Sequence, residues 1–199
     1  MLKLPRMGQI FFLVAVGAWG VLEIYLHVFR RGGIAPGGYG RPGVVERLSK
    51  SVMLAAFAFA GFGARLLTPD FAAGFRLPFT PVRWVGATLV FASVPLRILS
   101  VVHLGGAYSV DLGVRPGQPL VTSGLYRFVR HPGYLSLIVA FAGVGLAFWH
   151  WLATPLCLLL PPGVLAWRML LEERILERNY GEEYRAWARR TKRLVPFVV

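Results

Sequence analysis

The chain has 199 residues, 56% of them hydrophobic and 16% charged, with a mean hydropathy of +0.58. Soluble domains average roughly half apolar and about a quarter charged, so disorder, a fibrous repeat and an ordinary soluble globule are excluded. The net charge of +13 suits anionic headgroups and cytoplasmic loops better than nucleic acid, given so much aliphatic and aromatic surface.

A helix needs about 20 mostly apolar residues to cross the hydrocarbon core. The first such run spans residues 7–29. Although Lys3 and Arg6 precede it, it is longer than a signal-peptide core and no small-residue cleavage pattern follows, so it reads as a retained span. Residues 30–43, with six glycines and two prolines, read as a loop. A short second span is expected at 52–67, a proline-containing loop at 68–81, and a third span at 84–104. Residues 105–131 form a long, moderately apolar connection, and loops of that length are more often functional than mere connectors.

The apolar stretch 134–171 is too long for one crossing and reads as a helical hairpin folded near 150–154. Pro155, Pro161 and Pro162 are expected to kink or shorten its second half. Beyond Leu171 the composition turns charged, which predicts an amphipathic helix leaving the bilayer, with Gly181 as a stop or bend. The fold class is therefore all-α: a multi-pass integral membrane protein of about five spans with a C-terminal amphipathic helix. It is read as a single domain, 1–199, with a three-helix part at 1–104 and a loop, hairpin and terminal helix at 105–199.

With the C-terminus in the cytoplasm, sixteen Lys and Arg residues fall on the cytoplasmic side and five on the other, which holds the N-terminus. The long loop and the charged tail then face the compartment that contains soluble cofactors.

Three polar constellations stand out. Tyr126, Arg127, Arg130, His131 and Tyr134 gather where the loop meets the fourth span, and His131-Pro132 fixes the chain there. An interfacial belt of aromatics and arginines would look similar, but these donors converge on one spot, which suits a polar ligand. Arg168 and Glu172 lie four apart, on one face at the inner end of the last span, where ionisable groups usually face a cavity or a partner. Glu173 reads as the more solvated of the acidic pair. The third constellation, Tyr180-Gly-Glu-Glu-Tyr184 and the basic segment to Pro196, reads as a surface helix on anionic lipid.

Other polar residues within the spans carry no expected role in the chemistry. Glu23 and His27, four apart, read as a pair, while Arg97 and His103 are candidates to line a cavity. No Cys or His cluster has metal-ligand spacing, so no metal partner is expected. The single cysteine, Cys157, has no intrachain disulfide partner. Gly143-Val-Gly145 sits in an apolar helix with no strand before it and means close helix packing, not a dinucleotide loop.

In order, Leu104-Gly105, Tyr108-Ser109, Leu120 to Tyr126, Arg130-His131-Pro132-Gly133-Tyr134, Arg168, Glu172-Glu173 and Gly181 to Tyr184 form a specific set. This set resembles the isoprenylcysteine carboxyl methyltransferase and phospholipid methyltransferase superfamily of integral membrane enzymes. The resemblance implies a methyltransferase that uses S-adenosylmethionine without a Rossmann domain and acts on a lipid-like acceptor among the membrane lipids. It places cofactor contacts on Gln118, Pro119, Leu120, Val121, Tyr126, Arg130, His131, Pro132, Gly133, Tyr134 and Glu172, with Glu173 beside it. Arg168 matches the position associated with the acceptor, and Arg168 and Glu172 together would carry the chemistry.

Two positions depart from the family pattern: Gln118 stands where His is usual, and Ser136 where Gly is usual. Carboxyl O-methylation is the leading expectation. N-methylation of a phospholipid headgroup and O- or S-methylation of a small hydrophobic phenol or thiol are its alternatives. A membrane scaffold or transporter subunit is the non-enzymatic one, although transport predicts paired repeats that the chain lacks.

Overall fold

The computed structural model describes residues 7–29, 80–109, 112–148 and 150–195, with the backbone alone at 27–29. All regular structure among them is helical. Helix α1 runs Met7–Phe29, α2 Pro81–Leu104, α3 Pro132–Phe148, α4 Ala153–Tyr180 and α5 Glu182–Arg190. Single 3-10 turns occupy Gly105–Ala107 and Gly124–Arg127. The second span expected at 52–67 and the loop at 30–43 lie outside the described residues, as does all but the end of the loop at 68–81.

Among the described residues, three helices (α1, α2 and α4) are long and apolar enough to cross a membrane, while α3 is apolar but shorter, with 17 residues. At 1.5 Å per residue α3 spans about 25 Å and α4 about 42 Å, so α4 outruns a hydrocarbon core of about 30 Å. The charged segment after Leu171 is thus no separate helix but the last turns of α4, and it ends where expected. Gly181 takes φ 56° and its N–H bonds back to Glu177, a conformation glycine adopts without a Cβ clash.

The prolines do not shorten α4, contrary to the expectation from sequence. Pro155 falls in its first turn, where an N–H has no helical acceptor anyway. Pro161 and Pro162 sit inside the continuous helix, as membrane helices tolerate when neighbouring groups and local adjustment absorb the lost bond.

Contacts between helices set their directions. Phe11 meets Trp84 and Phe91, and Leu26 packs with Val101, so α1 and α2 run parallel. Helix α3 returns antiparallel to α2. Gly86 and Gly143 face each other across that contact so closely that a Cβ on Gly143 would meet Gly86 O at 2.6 Å. A Cβ on Gly145 would meet the Cys157 Cβ at 2.8 Å in the α3–α4 hairpin. Close packing through small residues is therefore what the Gly-Val-Gly segment serves.

The hairpin turns at 150–152. Thr154 Oγ1 donates to Gly145 O at 2.8 Å, and the His150 ring accepts from the first amides of α4. At that end Arg83 donates to Phe148 O at 3.0 Å. The C-terminal parts of α1 and α2, the start of α3 and the second half of α4 meet at the opposite end, and the polar residues gather there.

Candidate active site

A loop and a tail are tied together at this end of the bundle. Residues 128–131 pair in parallel with 191–193: Arg130 N donates to Lys192 O at 2.7 Å and His131 N to Arg193 O at 2.9 Å. Helix α5 lies over the loop, with Tyr184 buried and Trp187 Nε1 donating to Tyr126 O at 3.0 Å. Tyr180 Oη, at the end of α4, donates to Gln118 O at 2.9 Å. Both ends of the Gln118–Tyr126 segment are thereby anchored to the C-terminal part of the chain.

Beneath the loop, the adjacent carboxylates Glu172 and Glu173 on α4 serve different partners. Tyr134 Oη donates to Glu172 Oε2 at 2.6 Å and accepts from Arg168 Nε at 3.2 Å. The Tyr134 hydroxyl therefore stands between two residues that lie four apart on one face of α4. Among the described residues, Glu172 Oε1 accepts no hydrogen bond. The His131 ring stacks on Tyr134, with centroids 5.4 Å apart. Tyr126 is buried and donates to Ser100 O at 3.3 Å. Burial pushes its phenol above the ordinary value; the Glu172 charge adds to the shift and Arg97 opposes it.

Glu173 corrects the sequence reading. It is not solvated: its side chain is 12% exposed and collects three partners. Arg130 Nε lies at 2.9 Å, Arg193 at 3.0 Å and His131 Nε2 at 3.4 Å. The remaining Arg130 contacts are backbone carbonyls, Ala188 at 2.8 Å and Thr191. Arg130, expected to meet a cofactor carboxylate, thus ties the loop to α4 and the tail. The charged run Glu172-Glu173-Arg174 gives no hint which carboxylate turns inward. The basic residues at both 130 and 193 were the available signal.

Of the remaining expected contacts, Pro132 is buried at the start of α3, and Gly133 O accepts from Ser136 Oγ at 2.7 Å. Ser136 is wholly buried, so the residue standing for the usual glycine is accommodated by bonding its own helix. Gln118 turns its side chain back, with Oε1 3.4 Å from the Arg115 amide. Pro119 is exposed, while Leu120 and Val121 are half-buried. His103 packs beside the Leu125 amide at 3.5 Å rather than within the Tyr134 cluster.

Glu23 has a partner on another helix. It pairs with Arg97, Nε to Oε1 at 2.7 Å and Nη2 to Oε2 at 3.1 Å; the His27 side chain lies outside the described residues. Opposite charges in two spans were the signal for this pair. Among the described residues no group of His, Cys, Asp and Glu could hold a metal ion.

The arrangement offers a carboxylate whose Oε1 accepts no bond among the described residues, stacked rings and a buried guanidinium, at the loop-bearing end of the bundle. That donor set fits a ligand with an ammonium or hydroxyl donor and a flat ring, beside an anionic second ligand.

Residues 84–178 match the sequence model of the isoprenylcysteine carboxyl methyltransferase (ICMT) family. A probable protein-S-isoprenylcysteine O-methyltransferase of Oryza sativa subsp. indica is 28% identical over 119 residues, covering 59% of this chain and 62% of the relative. Protein-S-isoprenylcysteine O-methyltransferase B of Arabidopsis thaliana is 27% identical over 120 residues, 57% of this chain and 58% of the relative. The chain thus spans about three-fifths of the length of the relatives it matches. These matches bear out the resemblance carried by the motifs.

Proposed function

With residues 84–178 matching the ICMT family, we propose that this chain is an integral membrane methyltransferase acting on a lipid-like acceptor, with carboxyl O-methylation as its reaction. The observation that carries the reading is the convergence of His131, Tyr134, Arg168 and Glu172 from a loop and two helices. When bound, S-adenosylmethionine supplies a methyl group already activated on a sulfonium, so the protein needs no nucleophile of its own.

The chain's residues then bind and orient. Glu172 Oε1 accepts from the cofactor's amino or hydroxyl groups, a charge-assisted contact. Tyr126, His131 and Tyr134 offer ring faces, and the segment from Gln118 to Val121 contributes from the loop. Arg130 and Glu173 hold the loop, tail and α4 in register. Arg168, buried at 3% exposure, aligns an acceptor carboxylate; Arg suits planar recognition better than Lys. A carboxylate acceptor is already deprotonated at neutral pH, so no general base is required. Proximity and orientation in such a site supply on the order of 7–11 kcal/mol in favourable cases.

The positive charge bias puts the site on the cytoplasmic side, with the N-terminus opposite. The lipid-like acceptor then enters sideways from the bilayer while the cofactor arrives from water.

Titration of S-adenosylhomocysteine into detergent-solubilised protein tests the reading. At a hundred times the dissociation constant, stability should rise by about 2.7 kcal/mol; a flat response rejects it in favour of a scaffold or transporter subunit. Transfer of radiolabelled methyl to prenylcysteine analogues, against phosphatidylethanolamine and alkylphenols or thiols, tests the acceptor. Preference for either of the latter two would replace the carboxylate.

A further inference from the structure

Behind the proposed cofactor wall lies a charged group that the reading above does not use. Arg97 is buried in α2 and forked onto Glu23 of α1. Its third nitrogen, Nη1, lies 3.4 Å from Gly133 O, and Nη2 lies 3.4 Å from Tyr108 Oη. Gly133 stands between Pro132 and Tyr134, at the turn from which the His131 and Tyr134 rings project. One turn on, Ser100 Oγ donates to Arg97 O, and Ser100 O receives the Tyr126 hydroxyl. The space is tight: a Cβ on Gly133 would meet Arg97 Nη1 at 3.0 Å.

We propose that Arg97, oriented by Glu23, is a positioning residue for the cofactor site. It sets the place of the His131–Tyr134 turn through Gly133 O and of the loop through Tyr108. Glu23 lies outside the segment that matches the family, so this pair gives α1 a part in a site otherwise built by the C-terminal half. The guanidinium matters for its geometry as well as its charge. Two of its nitrogens fix its plane against the carboxylate, which leaves Nη1 directed at the turn. A lysine would keep the charge but offers no planar fork.

The inference rests on the proposed use of S-adenosylmethionine, and its test separates the two. S-adenosylhomocysteine is titrated into wild type, R97K and the double variant E23Q/R97M, with thermal stability and ligand affinity read together. Removing a buried pair as a whole is far less destabilising than removing one partner, so the double variant should melt near wild type. R97K should bind the ligand about tenfold or more weakly, the scale of one lost charge-assisted hydrogen bond. The double variant should bind just as weakly despite its recovered stability.

Affinity that returns with stability in the double variant would make the pair merely structural and overturn the proposal. Wild-type affinity in R97K would do the same. If R97K does not fold, the double variant decides alone. No response in the wild type would overturn the cofactor reading and this inference together.

Discussion

Tyr134 and Glu172, 38 positions apart, share a 2.6 Å hydrogen bond that joins the start of α3 to the inner half of α4. The same hydroxyl accepts from Arg168, so one phenol separates a carboxylate from a guanidinium that helical spacing alone would have paired. Glu172 is left with an oxygen to offer.

Tyr134→Phe keeps the ring stacked on His131 but leaves Glu172 Oε2 and Arg168 Nε each short of a partner. Loss of about 1–3 kcal/mol of stability is expected, the range for stranding a buried polar group. Thermal unfolding with and without S-adenosylhomocysteine measures it. An unchanged melting point would mean that the hydroxyl holds nothing.

Arg168→Ala should separate acceptor use from cofactor use. The kcat/KM for a prenylcysteine acceptor should fall about tenfold to a hundredfold, the worth of one charge-assisted contact. Affinity for S-adenosylhomocysteine should hold, because Tyr134 keeps its bond to Glu172. Equal loss of both would reject this division of roles.

The three partners of Glu173, two of them guanidinium groups, predict that Glu173→Gln loosens the tail. A neutral amide keeps one acceptor but cannot balance Arg130 and Arg193, at an expected cost of roughly 1–3 kcal/mol. Limited proteolysis should then cut residues 182–195 faster than in wild type. An unaltered cleavage rate would contradict the clamp.

Two glycines provide a matched pair. A Cβ at Gly143 runs into Gly86 O and Val90, whereas one at Gly163 meets nothing within 4 Å. Gly143→Ala should destabilise by about 1–3 kcal/mol through overpacking. Gly163→Ala should be neutral or stabilising by up to about 1 kcal/mol from helix propensity. The two melting points, measured side by side, give the comparison.

The Tyr126 phenol carries a pH signature. Burial raises its value in the folded state, so the folded chain keeps a proton that the unfolded chain loses above about pH 10. Its contribution is complete below that pH and is lost as pH rises towards the folded value. Stability measured from pH 8 to 11 should fall at the alkaline end, and less steeply in Tyr126→Phe.

Legibility varied along the chain for physical reasons. That residues 7–29 are helical was legible because an apolar run of that length suits a membrane-crossing helix. The α3–α4 hairpin was legible because 38 apolar residues exceed one bilayer crossing. The stop at Gly181 was legible too, since only the residue without a Cβ adopts that conformation freely. The prolines misled, because their effect depends on which carbonyls they leave without a donor and on what packs there. Glu173 misled as well. Adjacent helical residues point about 100° apart, and nothing local says which one faces a loop that lies 43 positions back.

The sequence by itself determined the membrane class, the helical content and the set of residues around which a site could form. Each of these depends on composition, period or local spacing, quantities a single segment carries alone. The tertiary structure decided the pairings: Glu23 with Arg97, Tyr134 between Arg168 and Glu172, and Glu173 with Arg130 and Arg193. A buried charge must find a partner, but which one it finds depends on how helices far apart in the chain come to lie against each other.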